Sequence, residues 1–399
     1  MSTRPPIDEL ADRLVDQLVR EGHLRSGHWG AMLREVPRDH FVPDRAWCLP
    51  DTPDGAPHAI DRALKADRWL DAVYSDSAII TQVDDGAGDP ADGKGRPTSS
   101  LSAPGVAIGF LELLGPQPGE RILEIGTGTG WTAAALTHRV GSCGVTSIEV
   151  DPAVAVEAAA NLASAGLVPG ADVHLVVGDG TDGHPDHAPF DRVHVTCGVT
   201  TVPHTWITQT RPGGVIVLPW MPEHGDGREL RLVVQDDGRT AHGRFSGISS
   251  YMMLRGQRTR MPDIDPDGSE RWSEARTRTD PRAIVWDGPG QDLMLTAAMP
   301  DVIIDKRLDM RDGTLRLEMA TVDGTSQAVI ESRWGGEHAQ VRQLGDRSLW
   351  DEAEAARTRW LKAGKPDVSR YGLTVAPDGQ YLWLDEPRGT DLRGRTAGA

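Results

Sequence analysis

Short apolar segments alternate with helix-like segments between residues 120 and 220, and this alternation limits the fold more strongly than any other feature of the chain. The helix-like stretches include 131–140 and 151–166. Short apolar strands that alternate with helices predict a parallel sheet that is covered on both faces. The segments predicted as strands are RILEIG (121–126), GVTSIEV (144–150), DVHLVVGD (172–179), DRVHVTC (191–197) and GGVIVLPW (213–220).

Four further segments flank this region. Residues 7–21 place their apolar side chains on one helical face and predict a helix, and 72–82 is predicted as a strand. The stretch 83–97 is rich in Gly, Asp and Pro, so we expect a flexible surface loop there. Residues 230–245 predict two antiparallel strands that close the sheet.

The alternation ends after about residue 258, where a polar stretch begins that is rich in Arg and Asp. Beyond it, 348–364 predicts a helix and 371–384 predicts a hairpin. We therefore expect two domains, a catalytic α/β domain over 1–258 and a smaller α+β domain over 259–399.

The charge and cysteine content exclude several classes of function. A formal net charge of −17 opposes binding to nucleic acid or to an anionic membrane. The N-terminus does not read as a signal peptide, and no apolar run approaches the length of a membrane span, so we expect a cytoplasmic protein. Three cysteines without a Cys-x-x-Cys pair argue against a disulfide framework and against a zinc site.

A glycine-rich turn follows the first strand of the alternating region. Gly126, Gly128 and Gly130 allow a sharp turn and let a ligand approach the backbone closely. Glu149 ends the next strand about 20 residues later, where a carboxylate can accept both hydroxyl hydrogens of a ribose. Asp179 follows the third strand at the same carboxyl edge of the sheet, which is where open α/β sheets bind ligands. Ordinary solvated acids at strand ends are the alternative interpretation of both carboxylates.

The spacing Gly-x-Gly-x-Gly favours a nucleoside that has no pyrophosphate. S-adenosylmethionine fits, since it carries a ribose, an adenine and an amino-acid tail but no phosphate, and S-adenosylhomocysteine would be the product. Glu124, just before the turn, is a candidate for orienting the sulfonium or the amino group.

Two other groups of residues carry less weight. His184, His187 and His194 lie in or beside a proline-broken loop, so a solvated loop is favoured over a metal site and no metal is predicted. Cys197 stands at a strand end without an evident base, and a buried apolar cysteine is favoured over a nucleophile.

Four small hydroxyl residues lie within RPTSSLSAPGVAIGF, about 20 residues before the glycine turn. Ser102 precedes Pro104 as a helix N-cap would, so capping is one interpretation. Substrate binding is the other, because a carboxylate acceptor is already ionised near neutral pH and has to be oriented rather than deprotonated. The candidate acceptor-side residues are Ser102, Ser100 and Thr98.

The chain up to about residue 255 resembles the protein-L-isoaspartate O-methyltransferases. The resemblance runs, in the family's order, through VPRDHFVP, VYSDSAI, TSSLSAP, LEIGTGTGWTAAAL, SIEVD, VVGDG, PFDRVHVTCG, RPGG and VLP. It implies a Rossmann-like S-adenosylmethionine-dependent methyltransferase sheet, and it places the family's active-site hydroxyl on Ser102. Within these segments we also assign to the cofactor site Thr127, Thr129, Val150, Gly178, Gly180 and Thr196.

The sequence departs from the family pattern at two places. Around Ser-Ala-Pro, Ser99, Ser100 and Leu101 replace the usual lead-in, and Gly105 follows where the family usually has a polar residue. The segment GISSYMMLRGQR (247–258) replaces the family's usual final strand. These departures and the C-terminal extension resemble a branch associated with ribosomally made modified peptides, such as lanthipeptides, graspetides or lasso peptides. The resemblance implies that the enzyme methylates an aspartate of a modified precursor peptide, after which the ester closes to an aspartimide that persists or hydrolyses to isoaspartate.

We further expect 259–399, together with the segment SSYMMLR (249–255), to bind the precursor peptide, and we expect a monomer. Repair of isoaspartyl residues in damaged proteins is the alternative function. A cofactor-binding regulator without catalytic activity is a third interpretation.

Overall fold

The computed structural model describes residues 6–52, 54–268, 272–387 and 392, and the chain divides into two compact units. The first unit consists of Met1–Cys197, Pro203–Leu218 and Val233–Arg239, and the remainder of the chain forms the second. Because the chain passes between the units several times, this division differs from the predicted single boundary at residue 258. No helix among the described residues is both long enough and apolar enough to span a membrane.

The first unit begins with helices packed beside a small antiparallel sheet. Its four strands follow the order β2-β1-β3-β4. Helix α3 extends through Val73, so the strand predicted over 72–82 begins only at Ser77. The elements are α1 Ile7–Glu21, α2 Gly27–Glu35, β1 Arg45–Pro50, β2 His58–Asp61, α3 Ala66–Val73, β3 Ser77–Val83 and β4 Pro97–Leu101.

The loop between β3 and β4 closes on itself. The amide of Asp84 donates to the carbonyl of Arg96, and the Asp84 carboxylate accepts from the Arg96 amide, each at 2.8 Å. Two short 3-10 turns lie within it, so the segment 83–97 is partly ordered by its own hydrogen bonds.

The alternating region forms the predicted parallel sheet, which confirms the α/β fold class. The strands follow the order β9-β8-β5-β6-β7, and the pairs β9–β8, β8–β5, β5–β6 and β6–β7 are all parallel. The strands and helices are α4 Pro104–Leu114, β5 Ile122–Ile125, α5 Trp131–Val140, β6 Val145–Glu149, α6 Pro152–Ser164, β7 Val173–Val177, β8 Phe190–Val195, α7 His204–Thr208 and β9 Thr210–Trp220.

This strand order creates a switch point beside β5. The chain adds β6 and β7 on one side of β5 and then returns to add β8 on its other side. Crevices at such reversals, outside the carboxyl ends of the strands, are the usual ligand sites of open α/β sheets. The residues that follow β5 are Gly126–Gly130, so the predicted turn lies at this point.

The second unit contains two groups of antiparallel strands and three helices. The predicted hairpin over 371–384 is confirmed as β17 and β18, and the predicted helix over 348–364 as α10. One sheet has the order β12-β16-β15-β14-β13. The elements are β10 Arg228–Val234, β11 Ala241–Ile248, β12 Ser273–Thr277, α8 Arg282–Val285, α9 Gln291–Ala298, β13 Val302–Asp309, β14 Thr314–Thr321, β15 Gln327–Ser332, β16 Ala339–Leu344, α10 Leu349–Lys362, β17 Tyr371–Ala376 and β18 Gly379–Leu384.

Strand β11 connects the C-terminal segment to residues that precede the predicted boundary. Ala241 lies opposite Val375 and Arg244 lies opposite Gly372 in an antiparallel pair with β17. A boundary at residue 258 would therefore cut through a sheet. Periodicity does not reveal pairings between strands so far apart along the chain.

Candidate active site

The turn after β5 takes a backbone conformation that favours glycine. Gly126, Gly128 and Gly130 have φ angles of +90°, +55° and +91°. A Cβ on Gly126 would lie 2.6 Å from the Thr196 hydroxyl oxygen, so a side chain does not fit there. The amides of Gly126 and Thr127 both donate to the carbonyl of Ile148, which holds the start of the turn against β6.

Glu149 lies at the carboxyl end of β6 and faces this turn. Its carboxylate accepts hydrogen bonds from the amide of Gly128 at 2.9 Å and from the amide of Asp151 at 3.0 Å. The side chain is largely buried, with the residue 9% exposed. The structure therefore brings Glu149 and the glycine turn together, as the sequence predicted.

Asp179 is placed at the same edge of the sheet. It follows β7, is exposed, and accepts a hydrogen bond from the amide of Thr181. The amide of Gly178 donates to the carbonyl of Glu149 at 2.9 Å, which ties the two acidic loops together. Gly180 is buried against Ile125, where a Cβ would come within 2.5 Å of a side-chain carbon.

Glu124 takes a different position from that of the other predicted cofactor ligands. It is fully buried, and its carboxylate accepts from the Ser147 hydroxyl at 2.6 Å. Ser147 also bonds to the hydroxyl of Thr127, and Nδ1 of His194 lies 3.4 Å from the carboxylate. This chain of contacts fastens the turn to β6 and β8, and the assignment of Glu124 to the methyl donor stays a prediction.

The remaining cofactor-side residues surround the same edge. The Thr196 hydroxyl donates to the carbonyl of Ile125 at 3.0 Å, and the carbonyl of Thr129 accepts from the Asn161 side chain. Val150, between two acidic residues, is 38% exposed although it is apolar. An exposed aliphatic side chain beside Glu149 offers a surface for one face of a purine.

The acceptor-side hydroxyls lie on β4 and just after it. A Cβ on Gly128 would lie 3.5 Å from the carbonyl oxygen of Ser100, so β4 runs directly past the glycine turn. Ser100 and Ser102 are half-buried. The hydroxyl of Thr98 donates to the Gln82 side chain at 2.8 Å and accepts from the amide of Asp85.

The capping interpretation of Ser102 finds no support among the hydrogen bonds of α4. The residue that precedes this helix is Ala103, and the helix has no side-chain cap. The amide of Gly105, in the first turn, donates instead to the Asp76 carboxylate at 2.8 Å. The Ser102 side chain is therefore not needed to complete the helix start.

Arg38 and Asp76 support this segment and were not identified from the sequence. The Arg38 guanidinium is buried, packs over the Trp131 ring, and donates to the carbonyls of Ser77 and Ser102, each at 2.9 Å. Burial lowers the pKa of Arg38 to about 9. Burial has the opposite effect on the carboxyl group of Asp76: this residue is only 3% exposed, and its pKa is raised. Both lie in segments of the resemblance, VPRDHFVP and VYSDSAI, but no sequence pattern indicates these contacts.

Cys197 and the histidines at 184, 187 and 194 lie in different environments. Burial, together with the nearby Glu149 and Asp179 carboxylates, raises the pKa of the Cys197 thiol to about 12, so the thiol is neutral and a poor nucleophile. His194 lies beside Glu124 in the core rather than with His184 and His187.

The residues at this edge fit S-adenosylmethionine by their chemistry. The turn has no side chain where Gly126 and Gly128 approach their neighbours, Asp179 is exposed, and Val150 supplies an apolar surface. Backbone without side chains, carboxylates and an aliphatic face match the tail, the ribose and the purine of this molecule.

Comparisons with known proteins agree with this interpretation. The family model for protein-L-isoaspartate(D-aspartate) O-methyltransferase matches residues 54–252. A protein-L-isoaspartate O-methyltransferase of Methanopyrus kandleri is 32% identical over 245 residues, which are 61% of this chain and 90% of that protein. A second such enzyme, from Archaeoglobus fulgidus, is 29% identical over 63% of this chain and 94% of its own.

A solved structure of a protein-L-isoaspartate O-methyltransferase shares the fold. It aligns with 94% of this chain and with all of its own chain, with a TM-score of 0.52 and 21% identity. The likeness in fold thus extends well beyond residue 258. Together with the relative from Methanopyrus kandleri, these findings show that the chain belongs to the protein-L-isoaspartate O-methyltransferase family, whose methyl donor is S-adenosylmethionine.

Proposed function

We propose that this protein methylates the free α-carboxylate of L-isoaspartyl residues in proteins and peptides. The observation that carries the proposal is the short distance between β4 and the glycine turn: a Cβ on Gly128 would lie 3.5 Å from the Ser100 carbonyl oxygen. This short distance supports an acceptor site on β4 beside the candidate cofactor site. The relatives reported above are named for the same activity.

The chemistry requires orientation more than proton transfer. S-adenosylmethionine supplies a methyl group on a sulfonium with a neutral thioether as leaving group. A carboxylate with an ordinary pKa near ~4 is ionised at neutral pH, so the protein needs no strong general base. Ser102 and Ser100 orient the acceptor oxygen as neutral donors, and Arg38 positions Ser102 through its carbonyl.

The product then reacts without a further group from the protein. The amide nitrogen that follows the esterified residue attacks the ester carbonyl, a C–N bond forms, and methanol leaves with the amide proton. The resulting five-membered imide opens with water to aspartyl or isoaspartyl peptide. An alcohol leaves from the ester more readily than hydroxide leaves from the acid, which is why methylation promotes the closure.

Methylation of an aspartate in a modified precursor peptide is the second candidate function. One observation favours it: Gly105 stands where the family usually has a polar residue, and a Cβ there would lie 2.5 Å from the Asp76 carboxylate, so this chain has no room for such a side chain beside Ser102. The C-terminal extension does not separate the two functions, because the solved isoaspartate methyltransferase aligns with nearly the whole chain. Isoaspartate repair is therefore the first proposal, whereas the sequence alone favoured the precursor peptide.

Binding of the substrate polypeptide by the segment 259–399 belongs to the same proposal. Support comes from large apolar side chains on the surface of this segment. Met310 is 82% exposed and Trp334 is 74% exposed. Aromatic residues and Met are enriched where proteins bind one another.

A paired-peptide assay tests the function. The full-length protein is given S-adenosylmethionine and either of two peptides that differ only in an isoaspartyl or an aspartyl linkage. Mass spectrometry then follows the gain of one methyl group and the later loss of methanol. Methylation of the isoaspartyl peptide alone supports the proposal. A third substrate is a cyclised peptide that contains an ordinary aspartate. Methylation of this aspartate and not of the isoaspartyl peptide would establish the second candidate function. If none of the peptides is methylated, a regulator without catalytic activity is favoured.

A further inference from the structure

Three histidines that are separate in the sequence converge at the amino-terminal half of β7. His174 lies on β7, and His184 and His187 lie in the loop that follows the strand. A coordinating nitrogen from each lies within 4.8 Å of the other two. The centroid of the His187 ring lies 4.2 Å from the centroid of the His174 ring and 4.5 Å from that of the His184 ring. We call these residues the histidine cluster.

The surrounding structure holds the cluster in place. The amide of His184 donates to the Gln209 side chain at 2.7 Å, and the amide of His187 donates back to the carbonyl of His184. Thr146, the neighbour of His174 across the parallel pair β6–β7, bonds to Nδ1 of His187 at 2.8 Å. Because Nδ1 bonds to Thr146, Nε2 is the nitrogen with which His187 would bind a metal. Thr146 would then be the outer partner that orients the ring.

The ring nitrogens determine which class of cation the histidine cluster suits. All three rings are half-buried. Three imidazole nitrogen donors suit Zn²⁺ and other borderline divalent metals, whereas Mg²⁺ and Ca²⁺ prefer oxygen ligands.

The spacing is close to that of a filled site. Nitrogens bound at 2.0–2.1 Å around a tetrahedral ion lie about 3.3 Å apart. The cluster nitrogens lie within 4.8 Å of one another, so each pair has to approach by about 1.5 Å or less to reach that spacing. We propose that the histidine cluster binds one Zn²⁺-class divalent cation, with water as the fourth ligand.

The cluster is distinct from the candidate active site. His174 precedes Gly178 by four strand positions, about 13 Å at the usual rise per residue. Asp179 and the histidine pair nevertheless belong to one connected segment, 178–187. A bound metal would anchor the far end of the loop that carries Asp179, so we assign the metal a stabilising role and not a step in methyl transfer.

Metal binding to the full-length protein tests this assignment. The protein is stripped with a chelator and titrated with Zn²⁺ in a calorimeter, and Co²⁺ is added in parallel because its visible absorption reports nitrogen ligation. We expect one equivalent to bind, a tetrahedral Co²⁺ spectrum, and a rise in melting temperature that Mg²⁺ does not produce. No binding to the wild-type protein, or a spectrum without nitrogen ligands, would overturn the proposal.

Point variants locate the ion. His174→Ala and His184→Ala should each weaken Zn²⁺ binding by about 100-fold or more, and His184→Cys should retain much of the affinity. The matched controls are His204→Ala, whose ring bonds the Arg239 carbonyl, and His23→Ala, which lies near Glu21 and Asp76 in a second group of possible ligands. Unchanged affinity in the cluster variants, or lost affinity in His23→Ala alone, would contradict the assignment. If a cluster variant does not fold, the Co²⁺ spectrum of the wild-type protein decides whether nitrogen ligands bind the metal.

Discussion

The hydroxyl residues of β4 differ from Ser102, which follows this strand, in their hydrogen-bond partners. Thr98 is engaged by Gln82 and by the Asp85 amide, and Ser99 is buried and accepts from Thr81. Ser102 is half-buried, and it is the Ser102 carbonyl that Arg38 holds. We therefore expect Ser102 to contact the acceptor, and Thr98 to act by positioning the strand.

Ser102→Ala tests this difference between neighbouring hydroxyls. The substitution keeps the carbonyl that bonds to Arg38, so the fold should persist while kcat for an isoaspartyl peptide falls by about 100-fold. Steady-state kinetics with a methyl-transfer assay measures the effect. Ser142→Ala is the control, because its hydroxyl bonds to the Asp172 side chain, belongs to neither side of the candidate site, and should leave kcat nearly unchanged. A Ser102→Ala protein with wild-type kcat would remove Ser102 from the site.

Asp76 gives a pH dependence whose sign follows from its burial. Its pKa is raised above the ordinary value of 3.8, so the folded state binds this proton more tightly than the unfolded state does. As the pH rises from 3.8 through the folded pKa, this group lowers the free energy of unfolding, and above that range the loss is complete.

Asp76→Asn should remove the decrease in the free energy of unfolding that ionisation of Asp76 causes. The asparagine side-chain oxygen can still accept from the Gly105 amide, and the group no longer ionises. The urea midpoint of the variant, relative to that of the wild type, should therefore rise between pH 3.5 and pH 7. Urea unfolding at a series of pH values measures this difference. A relative midpoint that is flat or falls with pH would show that Asp76 is not buried as an ionised group.

At the scale of elements, the glycine turn has two separable requirements. One is a positive φ, which costs a residue other than glycine roughly 1–2 kcal/mol. The other is space, since a Cβ on Gly126 meets Thr196 at 2.6 Å, whereas one on Gly141 meets nothing within 4 Å. Gly141 has a similar φ of +98° and ends α5.

Gly126→Ala and Gly141→Ala form a matched pair for these two requirements. Both variants should lose stability, because both place alanine at a positive φ. Only Gly126→Ala should displace the turn, and we expect its affinity for S-adenosylhomocysteine to fall by about 10-fold or more, which corresponds to about 1.4 kcal/mol. Calorimetric titration measures both affinities. Equal affinities in the two variants would show that the turn does not contact the cofactor.

The elements that the sequence predicted well are those with strong local patterns. The five parallel strands, α1, α10 and the C-terminal hairpin all appear where periodicity places them. The start of β3 was wrong, because α3 extends through Val73 and the polar residues Ser75 and Asp76 lie between this helix and the strand. The pairing of β11 with β17 was missed, since it depends on contacts between distant segments.

The site shows the same limit at the level of single residues. Motif spacing predicted that Glu149 would lie against the glycine turn, because strand ends in a parallel sheet share one edge. It did not predict that Glu124 would be buried with His194, or that His174 would join His184 and His187. Those contacts depend on which face of each strand a side chain takes and on a loop that folds back, and neither is encoded by spacing alone.

At the scale of the whole molecule, the second unit bears on how the proposed substrate is recognised. Removal of 265–399 would take away β17, which pairs with β11, so a truncated protein would test folding as well as binding. Substitutions on the surface are the sharper test. Trp334 stacks with Arg282, whose guanidinium carbon lies 5.4 Å from the ring centroid, and Met310 lies in the turn between β13 and β14.

Trp334→Ala, alone and with Met310→Ser, should weaken recognition of a folded or long substrate and spare a short one. If these side chains contact the polypeptide, KM for an isoaspartyl-containing protein should rise by about 5- to 10-fold, since a buried aromatic anchor contributes 1 kcal/mol or more. KM for a short isoaspartyl peptide and kcat for either substrate should stay unchanged, because the residues proposed for methyl transfer lie in the first unit. Leu64→Ala is the matched control, as Leu64 is 80% exposed in the first unit. A KM that rises equally for both substrates, or for neither, would argue against polypeptide binding by this surface.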